Sequence, residues 1–227
     1  MAERTYGEIF LVNKPRGWTS FDVIKKIRNA LGIKKVGHAG TLDPLASGLL
    51  IVCAGKETKN IDRYQAQDKE YIGTFVLGKT TESFDLEREI IEVADPSHLN
   101  LKAIEDAAKQ LTGDIMQIPP AHSAIRKGGK RAYELAREGK ELKLDPRPIT
   151  VSVFEITRFE LPEIDFRIVC SKGTYIRSLA RDLGDHLKVG AYMSNLTRTG
   201  IGTFTLENAV EVQDLAERLK AERDENI

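Results

Sequence analysis

One stretch constrains the fold of this chain more than any other. It runs from Gly37-His38-Ala39-Gly40-Thr41-Leu42-Asp43-Pro44 through Leu45-Ala46-Ser47-Gly48 and straight into the apolar run Leu49–Ala54. The run reads as a buried strand. The residues before it form a loop of small side chains around one carboxylate, Asp43. Three glycines and two alanines keep the walls around that carboxylate low, so a bulky substrate can approach it. An acidic residue set in so open a loop at the mouth of a buried strand points to chemistry, because function concentrates in loops carried on a rigid scaffold.

Around this anchor the chain alternates irregularly. Ile9–Val12 reads as a short strand and Lys14–Trp18 as a turn. Thr19 and Ser20 are N-cap candidates for a helix with apolar face Val23, Ile24, Ile27, Ala30 and Leu31, stopped by Gly32. Tyr71–Leu77 is rich in strand formers. Residues 82–95 are acidic and read as a loop or edge ribbon. Leu101, Ile104, Ala108 and Leu111 mark a second helix. Residues 119–148 open with Pro119-Pro120, contain Gly128-Gly129 and read as an excursion from the core, with a short helix near Ala132–Arg137. Ile149–Phe159 and Ile164–Ser171 read as strands; in the second, Ile164, Phe166, Ile168 and Cys170 alternate as on a strand with one buried face. A helix starting near Thr174 carries Ile176, Leu179, Ala180, Leu183 and Leu187 on its core face, and a charged helix with Leu215 and Leu219 closes the chain. No regular βαβ rhythm is present, which predicts an α+β fold with a mixed, mainly antiparallel sheet.

Lysine plus arginine balance aspartate plus glutamate at 34 each, so charge informs only through its distribution. Residues 13–40 carry a net +6, residues 121–150 and 167–200 a net +4 each, and residues 205–227 a net −4. Three basic segments suit a polyanion partner as well as they suit solvated helix faces. Cys53 and Cys170 each lie in an apolar run and read as buried thiols of a reducing compartment. No Cys-x-x-Cys or His-x-x-x-His spacing suggests a metal, and the N-terminus lacks an apolar signal core. A cytoplasmic protein with no membrane partner is expected.

The motifs together are specific. The chain resembles the bacterial TruB-type tRNA pseudouridine synthases at Leu11–Ser20, at Lys35–Leu50, at Lys69-Glu70-Tyr71 with Leu77-Gly78, at Pro119–Ala124 and at Cys170–Leu179, in the family's order and over roughly residues 8–210. The resemblance implies a pseudouridine synthase fold, with a catalytic domain over residues 1–210 that includes an RNA-gripping insertion at 119–148, and a helical tail over 211–227. Only 17 residues follow Val210, too few for the C-terminal RNA-binding domain of the PUA type found in many relatives. Family members usually have Asp-Thr-x-Asp where this chain has Glu82-Ser83-Phe84-Asp85; the change is expected to be tolerated because the segment lies outside the core motif.

The resemblance also implies roles. The family flips a T-loop uridine of tRNA out of its stack, breaks its glycosidic bond, turns the base and rejoins it as pseudouridine. Asp43 matches the one catalytic carboxylate, acting as nucleophile on C1′ or as the base that yields a glycal. Arg177 matches the cation paired with that carboxylate. Tyr71 matches the aromatic that stacks on the flipped base, and Tyr175 and Leu196 match further pocket walls. His38 matches a histidine that holds the flipped state. Lys14 is either structural support or a phosphate contact. Arg126, Lys127, Lys130 and Arg131 are expected to meet RNA phosphates. An isomerisation needs no cofactor and no metal, and a monomer without protein partners is expected. Two other readings are a tRNA-binding folding helper with catalysis secondary, and, ranked lower, the guide-RNA-dependent relative that acts on ribosomal RNA.

Overall fold

The computed structural model describes residues 7–121, 126–127, 130–131 and 144–225. Along the chain the elements are β1 (Gly7–Lys14), α1 (Ser20–Leu31), β2 (Val36–His38), β3 (Ser47–Gly55), α2 (Ile61–Gln65), β4 (Lys69–Leu77), β5 (Lys79–Thr80), β6 (Ile91–Glu92), α3 (Leu101–Gln110), β7 (Gly113–Gln117), β8 (Arg126–Lys127), β9 (Lys130–Arg131), β10 (Arg147–Glu160), β11 (Glu163–Cys170), α4 (Ile176–Leu187), β12 (Ala191–Ile201), β13 (Phe204–Thr205), β14 (Val210–Glu211) and α5 (Val212–Asp224). The short helix expected near Ala132–Arg137 lies outside the described residues. None of the described helices is long and apolar enough to cross a membrane.

The chain forms two compact units, residues 1–72 with 196–227, and residues 73–195; the division cuts β4 and β12. In the first unit β3 is the central strand. β1 runs antiparallel along one edge, from Gly7 opposite Gly55 to Lys14 opposite Gly48. The other edge is shared: β2 pairs with Val52–Ala54, and the end of β12 runs parallel beside Ser47 and Gly48. The loop that carries Asp43 leaves from β2 and returns as β3, so it emerges between the two strands on that edge.

The unbroken apolar run in β3 follows from burial on both faces. Leu50, Val52 and Ala54 join α1 and α5 through Val23, Ile24, Ile27, Val212, Leu215 and Leu219. Leu49, Ile51 and Cys53 join Ala39 and Ile201 on the opposite side. α1 begins with a capping box, Thr19 and Asp22 bonding each other's backbone, and ends at Gly32 in the left-handed region (φ 69°). Both limits agree with the sequence.

In the second unit β11 and β10 form a long antiparallel hairpin, and β7 extends it from β10. The alternating residues Ile164, Phe166, Ile168 and Cys170 are all buried. Phe166 packs on Phe75 of β4 (centroids 4.1 Å apart) and edge-on to Phe154. α3 packs on α4 and β10. Residues 79–92 form the small β5–β6 ribbon and a turn. The mixed, mainly antiparallel sheet is thus present, but β7 and β12 are strands the sequence did not announce. Leu187, expected on the core face of its helix, is only half-buried.

Candidate active site

In the first unit the Asp43 loop is pinned on both sides of its carboxylate. The Ser20 hydroxyl accepts from Leu42 N (3.0 Å) and donates to Leu42 O (3.2 Å), and Gly17 N donates to Pro44 O at 2.7 Å. Ala39 N donates to Ile51 O and Ala46 N to Asp43 O, at 2.9 and 3.1 Å. The loop is therefore fixed to the strand before it and to the start of α1, while Asp43 itself is half-exposed.

A residue absent from the sequence reading underlies this loop. Arg198, on β12, is 1% exposed. Its Nε donates to Leu49 O (2.7 Å) and its Nη2 to Gly40 O (3.2 Å), so one guanidinium ties the two ends of the loop together. Gly48 is required where β12 passes: its φ is +106°, and a Cβ there would stand 2.3 Å from Arg198 O. The only sequence signal for Arg198 is its register, two residues after Leu196 on a strand, which points both to the same side.

His38, at the end of β2, is half-buried. Burial and then the positive charge of Arg198 hold its imidazole below the ordinary histidine value, against a hydrogen bond with the backbone of Gly40. It is therefore neutral at neutral pH, and its Nδ1 is buried with no hydrogen-bond partner among the described residues. Tyr71 on β4 and Leu196 on β12 are both buried, at 8% and 6% exposure.

Lys14 is fully buried. Its ammonium donates to the carbonyls of Pro15 (3.0 Å) and Trp18 (2.6 Å), closing the turn before α1. Of the two roles left open for it, structural support stands, and a direct phosphate contact is corrected, because no solvent-facing surface remains. Burial pushes the ammonium down from 10.5 to about 8, although Asp43 pulls it up. A lysine depressed in the folded state binds more protons when unfolded, so its contribution to stability rises with pH across that window. Relative to Lys14→Met, the wild type should gain about 3 kcal/mol between pH 8 and pH 10.5. Urea unfolding of both proteins at several pH values checks this; a difference that does not change with pH contradicts it.

In the second unit Tyr175 stands at the N-cap of α4, half-buried. Gln117, 1% exposed, accepts from Tyr175 N (2.8 Å) and donates to Tyr175 O (3.1 Å), fixing that backbone as a strand neighbour would. Nothing in the sequence marked Gln117 beyond its place just before Pro119-Pro120.

Arg177 follows and is 4% exposed, so it is no helix-surface arginine. Its Nε lies 3.4 Å from Asp85 Oδ2 and its Nη1 donates to Ser83 O at 3.3 Å. Asp85 Oδ1 accepts from the Ser83 hydroxyl (2.6 Å) and Glu87 N (2.9 Å), and Thr81 Oγ1 donates to Asp85 O (2.6 Å). Thr81, Ser83 and Asp85 are at most 1% exposed. Within the segment read as lying outside the core motif, Ser83 and Asp85 are thus buried and hold Arg177, while Glu82 is exposed.

Arg126–Lys127 and Lys130–Arg131 form the two strands of a small antiparallel hairpin, which sets the four expected phosphate-binding residues on paired backbone.

Residues 28–176 match the family model described as TruB family pseudouridylate synthase (N terminal domain), and residues 177–227 match that of the tRNA pseudouridylate synthase B C-terminal domain. The chain belongs to the TruB family of pseudouridylate synthases. Among the family's curated members it is 48% identical to the tRNA pseudouridine synthase B of Flavobacterium johnsoniae, over 94% of this chain and 96% of the relative. It is 49% identical to that of Parabacteroides distasonis, over 94% of each. Among solved structures, this TruB-family chain is similar to a chain of a Cbf5-Nop10-Gar1 complex, with 30% identity and a TM-score of 0.75, covering 98% of this chain and 57% of that one. A chain of the archaeal box H/ACA sRNP Nop10-Cbf5 complex aligns with 27% identity and a TM-score of 0.71, again over 57% of its length. The chain thus spans little more than half of those structural relatives. The likeness bears out the pseudouridine synthase fold expected from the sequence.

Proposed function

We propose that this protein isomerises a T-loop uridine of tRNA to pseudouridine, with Asp43 as the reacting carboxylate. The observation that carries the reading is the mounting of Asp43: the residues on either side, Leu42 and Pro44, are hydrogen-bonded to Ser20 and Gly17, while Asp43 itself is half-exposed. A carboxylate held this way is positioned before substrate arrives, which is what a catalytic group requires.

A uridine inside a folded loop must leave its stack to reach such a group. In the proposed reaction the N1–C1′ bond breaks, the uracil turns, and a C5–C1′ bond forms as the C5 proton is released and N1 takes up a proton. Asp43 acts at the sugar as nucleophile or as base. Tyr71 supplies the face on which the base stacks and its hydroxyl assists removal of the C5 proton, and Tyr175 and Leu196 supply further walls. His38, neutral, fills the place of the displaced base without adding charge. Arg177 is the countercharge of the carboxylate, and its burial and anchoring by Asp85 support a fixed cation in that part. Arg126, Lys127, Lys130 and Arg131 meet phosphates, giving an affinity that falls steeply with salt. The protein acts as a monomer in the cytoplasm.

The test is release of tritium from a T-arm stem-loop RNA labelled at uridine C5. Release by the wild type, with pseudouridine in the digested product, is expected. Tight binding without release would move the assignment to the tRNA-folding helper.

A further inference from the structure

The RNA reading leaves one surface of the first unit without a use. Phe21 is 61% exposed, the most of any aromatic residue among the described residues. An isolated surface phenylalanine needs no explanation, but this one is not isolated. It shares a helix face with Lys25 and Arg28, four and seven residues on. The Arg28 guanidinium lies over its ring, 6.0 Å from the centroid. Arg28 Nε is buried and has no hydrogen-bond partner among the described residues. Lys25 and, in the preceding turn, Arg16 are exposed. Asp22, next in sequence to Phe21, has its carboxylate engaged by the Thr19 amide and hydroxyl, at 2.9 and 2.6 Å.

This surface is joined to the Asp43 loop. Ser20, the neighbour of Phe21, holds Leu42, and Gly17, the neighbour of Arg16, holds Pro44. The turn before α1 and the first residues of α1 are therefore held beside the loop that carries Asp43.

We propose that Phe21, backed by Arg28, is a stacking platform for an unpaired nucleotide of the substrate RNA outside the catalytic pocket, with Arg16 and Lys25 meeting the adjoining phosphates. The proposal rests on the RNA reading above. A guanidinium over one face of a phenyl ring leaves the other face for a base, and stacking of this kind tolerates any base. The positive charge around it selects a polyanion over an apolar protein partner.

The test measures affinity for a T-arm stem-loop RNA and steady-state kinetics on it, using the full chain. Phe21→Ala should weaken binding roughly tenfold or more. The loss should appear in KM with kcat unchanged. Phe21→Trp should restore affinity and Phe21→Leu should not, which separates stacking from hydrophobic burial. Lys25→Ala should lower the slope of log affinity against log salt by about one, whereas Phe21→Ala leaves that slope unchanged. Phe21 is exposed, so the melting temperatures should match the wild type. Wild-type affinity, within twofold, for Phe21→Ala overturns the proposal alone. Failure of the wild type to bind the RNA overturns it together with the reading it rests on.

Discussion

Replacing Asp43 with asparagine should remove tritium release altogether, a fall of at least about four orders of magnitude, equivalent to roughly 5 kcal/mol or more of transition-state stabilisation. The substitution keeps the shape of the side chain. The bond from Ala46 N to Asp43 O is a backbone bond, and the Ser20 and Gly17 anchors lie on neighbouring residues, so the loop keeps its place. What disappears is the anionic oxygen, which either route at the sugar requires, as nucleophile or as base. RNA affinity should be retained or slightly improved, because a negative charge beside a polyanion has been removed. This split is the informative part: binding intact and chemistry absent assigns Asp43 to the reaction. An asparagine variant with more than about a hundredth of wild-type activity would remove that assignment.

The second large effect should come from Asp85→Asn. Asp85 and Arg177 form an ion pair with side chains 2% and 5% exposed. Removing one charge of such a pair leaves the other buried without it, which typically costs about 3–5 kcal/mol. For a chain of this size that lowers the melting temperature by on the order of 10 °C. The Glu87 amide can still be met by the asparagine carbonyl, so the loss is that of charge rather than of the whole turn. Activity should fall as well, since the clamp sets the place of Arg177. Arg177→Met should destabilise similarly, and the double variant should be little worse than the poorer single one. Differential scanning calorimetry of the four proteins checks this. Strictly additive losses would show that the two groups do not act as a pair.

Legibility from sequence followed a physical rule: elements whose determinants are local could be read, and those whose determinants are distant could not. α1 was readable because Thr19, one of the two N-cap candidates, and Gly32 are chemical stops at its ends. β3 was readable because both its faces are buried, and β11 because one is. β12 was not, because Ser194, Asn195 and Thr197 sit among its apolar residues and its inward register continues into an arginine. The burial of Arg198 makes sense only once the carbonyls of Gly40 and Leu49 are placed beside it. The same holds at the site. The motif around Asp43 announced itself through small residues and proline. Lys14 had two possible roles until burial left one. Arg177 was matched to the cation paired with Asp43, and residues 82–95 read as a loop or edge ribbon. Neither contained a local hint that Asp85 and Arg177, 92 residues apart, are neighbours.

The brace that Arg198 places across the Asp43 loop has a consequence for how the protein comes into being. Its acceptors lie 149 and 158 residues earlier in the chain. During synthesis the loop is made well before its tie and remains without it until residue 198 has been translated. Domains fold as units while the ribosome works, but this unit is assembled from both ends of the chain. An emerging polypeptide therefore cannot hold a finished catalytic loop. Only with β12 in place is the loop tied, so a ribosome stalled before residue 198 displays a chain that contains Asp43 without the brace that holds its loop.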